Sequence, residues 1–376
     1  MGEIDGTFMS TGSGQGPVLD DSVRVDGDVV RILDRRVFPE TVEWVTARDA
    51  EEVASAITAM VTQSSGPLFA AYAGLEITAL QVAGLTPDAA RERMRVAGHA
   101  LETARPTNNH PREAVHHVLA AIAHAPTTAQ LVAAAVEAAR SGARLYRDRS
   151  HRLGAETVAL LPDGARILTH CWMDTYLIEL VRAAREAGKR FDWVATETRP
   201  YLQGARLTAH TLAEFGEHVT LITDGMGAAA LAPGSSLGRI DALVTAADRV
   251  SLDGSVVNKV GTLGLAVAAT AFGVPYYALV QAPDVEAPTA ADIVVEQRNP
   301  DEVLSTLGRR TASPLVTDAW YPAFDVTPAR FVTRVVTDRG SFEPARVGEL
   351  YAAAGATDAP GAPRASVAVA GVGESA

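Results

Sequence analysis

The chain has 376 residues, 47% of them hydrophobic and 21% charged, which is the make-up of a globular protein long enough for two or three domains. Its net charge of −12 argues against a nucleic-acid partner, while leaving room for a local basic pocket and a small anionic ligand. One cysteine excludes an internal disulfide framework and fits a reducing, cytoplasmic compartment. No uncharged apolar run reaches about 18 residues and no basic-then-apolar leader opens the chain, so neither a membrane span nor a signal peptide is expected.

Residues 1–20 read as a flexible tail of Gly, Ser and Thr without apolar periodicity. Between Val23 and Val45, alternating runs around the turn dipeptide Asp26-Gly27 predict a β-hairpin. A helix is expected from Asp49, with Glu52 three residues on and Val53, Ile57 and Met60 on one face. Thr86-Pro87 opens a second helix. Arg112–His124 and Thr128–Arg140, ending near Gly142, read as two more. Residues 21–150 are therefore expected to form a mostly helical domain.

Downstream the period changes. Short runs at Thr157–Leu161, Arg166–His170, Phe191–Thr196, Val219–Thr223, Ala242–Ala246 and Tyr276–Val280 alternate with helical stretches at Thr175–Ala187, Leu207–Phe215 and Val260–Phe272. Such alternation predicts an α/β fold, with a Rossmann-like parallel sheet over residues 151–354. Residues 355–376, rich in Ala, Gly and Pro, read as a second flexible tail.

In parallel sheets, ligands gather at the carboxyl ends of strands. Here those ends carry Cys171, then Glu197-Thr198-Arg199-Pro200 with Gln203-Gly204, then Asp224-Gly225, then Asp248-Arg249 followed by Asn258-Lys259. A thiol, carboxylates, an amide and cations thus converge from four strands. Taken singly, Cys171 is a nucleophile, an acid/base or a small core residue. Asp248 is an acid/base or a helix cap. Trp172, Met173 and Tyr176 wall a site or pack a core. Gly225–Ala230 superficially matches a dinucleotide turn, but it lies in a later βα unit rather than the first, and the next strand ends at Asp248; small residues for close helix packing are the preferred reading. His110, His116, His117 and His124 cluster in sequence, and His117 with His124 has one-face helical spacing, but no H-E-x-x-H or comparable ligand set forms, so no metal and no cofactor is expected.

Taken together, Thr169-His170-Cys171, Glu197-Thr198-Arg199-Pro200 with Gln203-Gly204, Ala247-Asp248-Arg249 and Asn258-Lys259-Val260-Gly261-Thr262 resemble the methylthioribose-1-phosphate isomerase family. Its superfamily includes ribose-1,5-bisphosphate isomerases and regulatory subunits of a translation-initiation guanine-nucleotide exchange factor. Asp26-Gly27 with Leu33-Asp34, and Ala104-Arg105-Pro106-Thr107, extend the resemblance over roughly residues 23–285. The resemblance implies a helical N-terminal domain, a Rossmann-like C-terminal domain without nucleotide, a homodimer, and conversion of an aldose 1-phosphate to the ketose 1-phosphate. It maps the catalytic pair onto Cys171 and Asp248, and substrate contacts onto Ser65, Gly66, Arg105, Gln203, Asn258 and Lys259. Burial would keep Asp248 protonated to open the sugar ring, and a Cys171 thiolate would take the C2 proton; a hydride shift is the competing route.

The departures are specific. Ser64-Ser65-Gly66-Pro67 replaces the family's Arg-Gly-Ala-Pro element and so removes a phosphate-binding cation. Trp172 replaces a common Asn, Gly225 another, and Ala246 replaces a glycine. The sequence reading is therefore an isomerase of a (5-modified) ribose 1-phosphate whose substrate has diverged from methylthioribose 1-phosphate. The alternative is a non-catalytic sugar-phosphate-binding regulatory protein, which would need no Cys/Asp pair. A nicotinamide oxidoreductase is the third class.

Overall fold

The computed structural model describes residues 16–105 and 108–357. Residues 1–15 and 358–376 of the two expected tails, and Pro106-Thr107 of the Arg-Pro-Thr element, lie outside the described residues. The end of the first expected tail is packed rather than loose. Val18–Asp21 makes a 3-10 turn that buries Leu19, and Asp20 pairs with Arg182 at 2.6 Å. At the other end, the last helix continues past residue 355.

The expected hairpin is present. Strands β1 (Val23–Asp26) and β2 (Val29–Leu33) pair antiparallel across a turn with Gly27 at φ +65°, and β3 (Trp44–Ala47) adds to β2. Helix α1 (Ala50–Thr58) starts where Asp49 caps it, its carboxylate accepting from the Glu52 amide at 2.7 Å. Helix α2 (Gly66–Gln81) has no amphipathic stripe because it is buried on nearly every side, which is why periodicity did not reveal it. Thr86 caps α3 (Pro87–Thr103) as expected, and α4 (Asn109–Ile122) begins three residues early, capped by Asn108.

Helix α5 (Thr128–Ala159) overturns two expectations. It neither ends near Gly142 nor yields to a strand at Thr157–Leu161. A Cβ at Gly142 would sit 2.4 Å from the Tyr72 ring, and one at Gly154 would sit 2.9 Å from the Glu179 and Leu180 backbone. These glycines allow close approach mid-helix rather than ending it. The helix packs on α2, α4 and α6 (Thr175–Glu186), so it runs through the expected boundary at residue 150.

The larger sheet contains β4 (Arg166–Thr169), β5 (Asp192–Thr196), β6 (His218–Ile222) and β7 (Ala242–Ala246). Between β5 and β6 the chain makes one π-helical turn (Gly204–Thr208) and α7 (Ala209–Glu214); α8 (Gly227–Leu231) precedes β7. A side sheet then follows, with β8 (Arg249–Val250) and β9 (Val256–Lys259). After α9 (Thr262–Ala271) the chain returns to the large sheet at β10 (Tyr276–Leu279). Short α10 (Asp301–Leu304), β11 (Ser305–Thr306) and β12 (Arg309–Arg310) interrupt a long irregular segment. Then β13 (Phe324–Thr327) completes the side sheet, before β14 (Arg334–Thr337), β15 (Gly340–Phe342) and α11 (Val347–Thr357).

The seven-stranded order is β15-β14-β10-β7-β4-β5-β6, parallel except for β15. After β4 the chain builds outward through β5 and β6, then crosses back to β7 on the other side of β4. The neighbours β4 and β7 therefore flank the topological switch point, where open α/β sheets form a crevice. Cys171 follows β4 and Asp248 follows β7. Among the described residues, no helix is long and apolar enough to cross a membrane.

Candidate active site

The crevice is a cavity of about 540 Å³. Cys171, Asp248, Ser65, Arg105, Gln203, Asn258 and Lys259 all line it. Gly66 does not. It is the first residue of α2, and a Cβ there would meet the Thr62 hydroxyl at 1.9 Å, so its smallness serves packing.

Cys171 occupies left-handed backbone, φ +69°, which a β-carbon disfavours. Its amide donates to Thr198 Oγ1 at 2.9 Å, and its carbonyl accepts from Thr208 Oγ1 at 2.5 Å. Beneath it the buried His170 ring bridges Thr196 Oγ1 at 2.6 Å and the Val260 carbonyl at 2.9 Å. Because a carbonyl only accepts, Nε2 carries the proton and Nδ1 accepts from Thr196. Burial holds His170 below the ordinary imidazole range. Met60 and Ser64, which line the same cavity, and Thr198, which is bonded to the Cys171 amide, also have positive φ. Strain gathered in this way is characteristic of sites the surrounding fold over-determines.

Asp248 is open to the cavity but lies deep in the molecule. Burial raises its carboxyl above the usual range, opposed by Lys259, Arg105 and His110. Burial also pushes the Cys171 thiol up to about 12, with Lys259 acting against it and Asp248 with it. The thiolate expected from the sequence is thus not the resting form. Lys259 lies on β9, its ammonium 4.6 Å from the Phe324 ring centroid. Burial lowers it, while Cys171 and Asp248 favour its charge. The lysine therefore links the thiol and the carboxyl electrostatically. Asn258, beside it, donates to Thr262 Oγ1 at 3.0 Å, and Asp325 across the strand pair caps α9 through the Gly261 and Leu263 amides.

Gln203 is placed by Gly204, where a Cβ would fall 1.8 Å from the Thr196 carbonyl. Only glycine lets the π-helical turn press onto the end of β5. Gln203 Nε2 reaches Gln63 Oε1 at 3.4 Å, while Gln203 Oε1 and Gln63 Nε2 are buried without a hydrogen bond among the described residues. Unpaired amide atoms at a cavity wall suit a polar ligand. Arg105 reaches the Glu296 carboxylate at 3.5 Å.

Ser65 is turned away from solvent. Its hydroxyl shares a proton with Thr175 at 2.9 Å and its amide donates to Asp174 at 3.2 Å. Asp174 also takes the buried Arg35 guanidinium at 2.8 Å. Arg35 in turn donates to the Gln63 carbonyl at 2.8 Å and to Ser22 Oγ at 2.7 Å. One ion pair thus ties the Gln63–Ser65 loop to the Cys171–Asp174 turn. Trp172, Met173 and Tyr176, which sequence left between wall and core, do both: they line the cavity and are buried.

Several lining residues escaped the sequence reading: Met60, Gln63, Arg149, Gln281, Arg298 and Phe324. Most come from irregular segments with no periodic signal. The Glu296–Arg298 charge pattern was the one available clue. The histidines do not gather: His110 lines the cavity, His116 faces Glu102 and His117 meets the Tyr72 ring edge-on. Among the described residues, no three His, Cys, Asp or Glu side chains converge as metal ligands. The Gly225–Ala230 turn follows β6, at the edge of the sheet, and Asp224 before it is engaged by the Thr198 and Arg199 amides.

A family model described as the initiation factor 2 subunit family matches residues 65–344. A methylthioribose-1-phosphate isomerase from Anaeromyxobacter dehalogenans is 40% identical over 341 residues, covering 86% of this chain and 93% of that protein. One from Desulforudis audaxviator is 37% identical, covering 83% and 91%. Among solved structures, a 5-methylthioribose 1-phosphate isomerase from Pyrococcus horikoshii matches with a TM-score of 0.81 at 28% identity, over 92% of this chain and 97% of that one. The translation initiation factor eIF-2B subunit delta from A. fulgidus matches at 0.75 and 31%, over 86% and 96%. The chain belongs to the initiation factor 2 subunit family and, like the curated relatives it matches, is an enzyme of the aldose–ketose isomerase class.

Proposed function

We propose that this isomerase converts a (5-modified) ribose 1-phosphate to the corresponding ribulose 1-phosphate, with Asp248 and Cys171 as its acid/base pair. The observation that carries the reading is the shared cavity at the switch point, where Lys259 couples thiol and carboxyl. An aldose 1-phosphate is locked as an acetal, so the ring opens only when its oxygen is protonated. Asp248, with its acidity weakened by burial, is suited to donate that proton as the C1–O bond breaks. Hydrogen then moves from C2 to C1.

Two routes differ in this last step. A Cys171 thiolate removes the C2 proton and returns it at C1, which first requires the thiol to ionise beside Lys259. Alternatively, hydride passes from C2 to C1 while the C2 hydroxyl proton goes to the Asp248 carboxylate left by ring opening. The thiol held near 12 favours the hydride route, as do the apolar walls of Trp172, Met173, Val257 and Phe324.

Arg105, Asn258, Lys259 and Gln203 are assigned to the sugar phosphate, with Ser65 lining their side of the cavity. The serine at position 64 removes a charge-assisted contact worth about 1.5–3 kcal/mol, which supports a substrate different from methylthioribose 1-phosphate. A homodimer and a cytoplasmic location complete the reading; the first rests on the resemblance and the second on the lone thiol, Cys171.

The test is proton NMR of the purified protein with methylthioribose 1-phosphate, 5-deoxyribose 1-phosphate, ribose 1,5-bisphosphate, ribose 1-phosphate and free ribose. A ketose signal from one phosphorylated member is expected. Silence across the panel, with Cys171 shown to be reduced, refutes the assignment of substrate class.

A further inference from the structure

The loop that lacks its cation is touched by a guanidinium from elsewhere in the chain. Arg298 lies on the irregular segment between β10 and β13 and lines the cavity. Its Nη1 is 3.7 Å from Met60 Sδ, and Met60 stands four residues before Ser64 on the same loop. The side chain is 17% exposed, so its charge is largely withdrawn from bulk water.

Its only ion-pair partner among the described residues is a shared one. Glu296 takes Arg298 through Oε1 at 2.8 Å and Arg105 through Oε2 at 3.5 Å. One carboxylate cannot neutralise two guanidiniums, and Lys259 adds a third cation close enough for both arginines to disfavour its charge. Three other arginines at the cavity are engaged by separate carboxylates: Arg112 by Glu286, Arg149 by Asp338 and Arg249 by Asp284. With the Asp248 carboxyl pushed toward its neutral form by burial, Arg105, Lys259 and Arg298 outnumber Glu296 and Glu302, the carboxylates that act on this part of the cavity.

We propose that Arg298 is a specificity-determining residue that binds the substrate's phosphate together with Arg105, supplying the charge that Ser64 does not carry. This rests on the sugar-phosphate reading above. The guanidinium keeps one edge on Glu296 and offers its remaining N–H groups to phosphate oxygens, the bidentate geometry for which arginine is suited. The phosphate is then held from the Glu296–Arg298 segment rather than from the loop before α2. The charge then reaches the phosphate from a different backbone segment beside the same loop, which alters the direction of approach and so which sugar the site accepts.

The experiment uses the full chain and three variants: Arg298→Gln, Arg298→Lys and Ser64→Arg with Arg298→Gln. Each is titrated with inorganic phosphate by calorimetry and assayed by NMR with the sugar 1-phosphates, after thermal melts establish folding. Arg298→Gln is expected to weaken phosphate binding, and raise KM, by about tenfold or more. Arg298→Lys keeps the ion pair with Glu296 but loses the fork, for about threefold or more. Restoring arginine at position 64 recovers most of the loss. Native protein that binds no phosphate overturns the proposal, as does a folded Arg298→Gln variant whose affinity stays within about twofold of native. Should Arg298→Gln not fold, native-like affinity in Arg298→Lys overturns it. If phosphate affinity falls but no sugar is turned over, the isomerase substrate reading fails and the anion site stands. If a sugar 1-phosphate is turned over with KM unchanged in Arg298→Gln, the anion site fails and the isomerase reading stands.

Discussion

Replacing Arg35 by methionine tests whether one buried ion pair holds the two halves of the site together. Arg35 is 1% exposed and its partner Asp174 is 3% exposed. Arg35→Met roughly preserves volume but removes three hydrogen bonds, to Asp174, Gln63 and Ser22. It leaves a buried carboxylate whose remaining partner is the Ser65 amide. Breaking a buried pair from one side costs about 3–5 kcal/mol, because the surviving charge is uncompensated. Removing both charges, as Arg35→Met with Asp174→Leu, should recover at least half of that. What remains is about 1–2 kcal/mol for the orphaned Ser65 amide and Ser22 hydroxyl, since the Gln63 carbonyl still accepts from the Gly66 amide. Equilibrium urea unfolding, followed by tryptophan fluorescence and circular dichroism, measures both differences. A single variant that loses less than about 1 kcal/mol, the range of exposed pairs, would refute the reasoning. So would a double variant less stable than the single.

Two further outcomes are expected. In D2O, ketose formed by the hydride route carries no solvent deuterium at C1, whereas a Cys171 thiolate shuttle washes it in; NMR of the product decides. Burial raises Asp325 to about 6 against an ordinary 3.8, so the folded chain holds that proton more tightly than the unfolded chain. Its contribution to stability is complete below about pH 3.8 and is lost as pH rises through about 6. The ceiling is about 3 kcal/mol, reduced by solvent at its partly exposed edge. Asp325→Asn should flatten the urea midpoint between pH 4 and 7, and coincident profiles for native and variant would contradict this.

Much of the fold was legible because local chemistry wrote it. Asp49 and Thr86-Pro87 mark helix starts through caps and a fixed φ. Asp26-Gly27 marks a turn through a positive φ, and the β-branched runs mark the parallel strands. The order of strand-end residues likewise exposed Cys171 and Asp248, since a parallel sheet brings its strand ends to one edge, whereas Lys259 comes from the antiparallel side sheet that follows β7.

What failed was decided by packing. Gly142 reads as a helix end, yet in the fold it is the space into which Tyr72 fits. Gly66 reads as part of a ligand loop, yet it makes room for Thr62. Helix α2 carries no stripe because its neighbours bury nearly every side of it. The charge at the cavity shows the same division. Sequence by itself determined that position 64 is a serine, that a thiol and a carboxylate each follow a strand, and that the chain is acidic overall; that those two strands are neighbours was decided by the sheet topology. Only the tertiary structure decided that Arg298, more than 230 positions from Ser64, stands beside that loop. Burial, opposed in part by neighbouring charges, shifts Cys171, Asp248 and Lys259 from their ordinary ranges, because desolvation depends on all the atoms around a group and not on its neighbours in the chain.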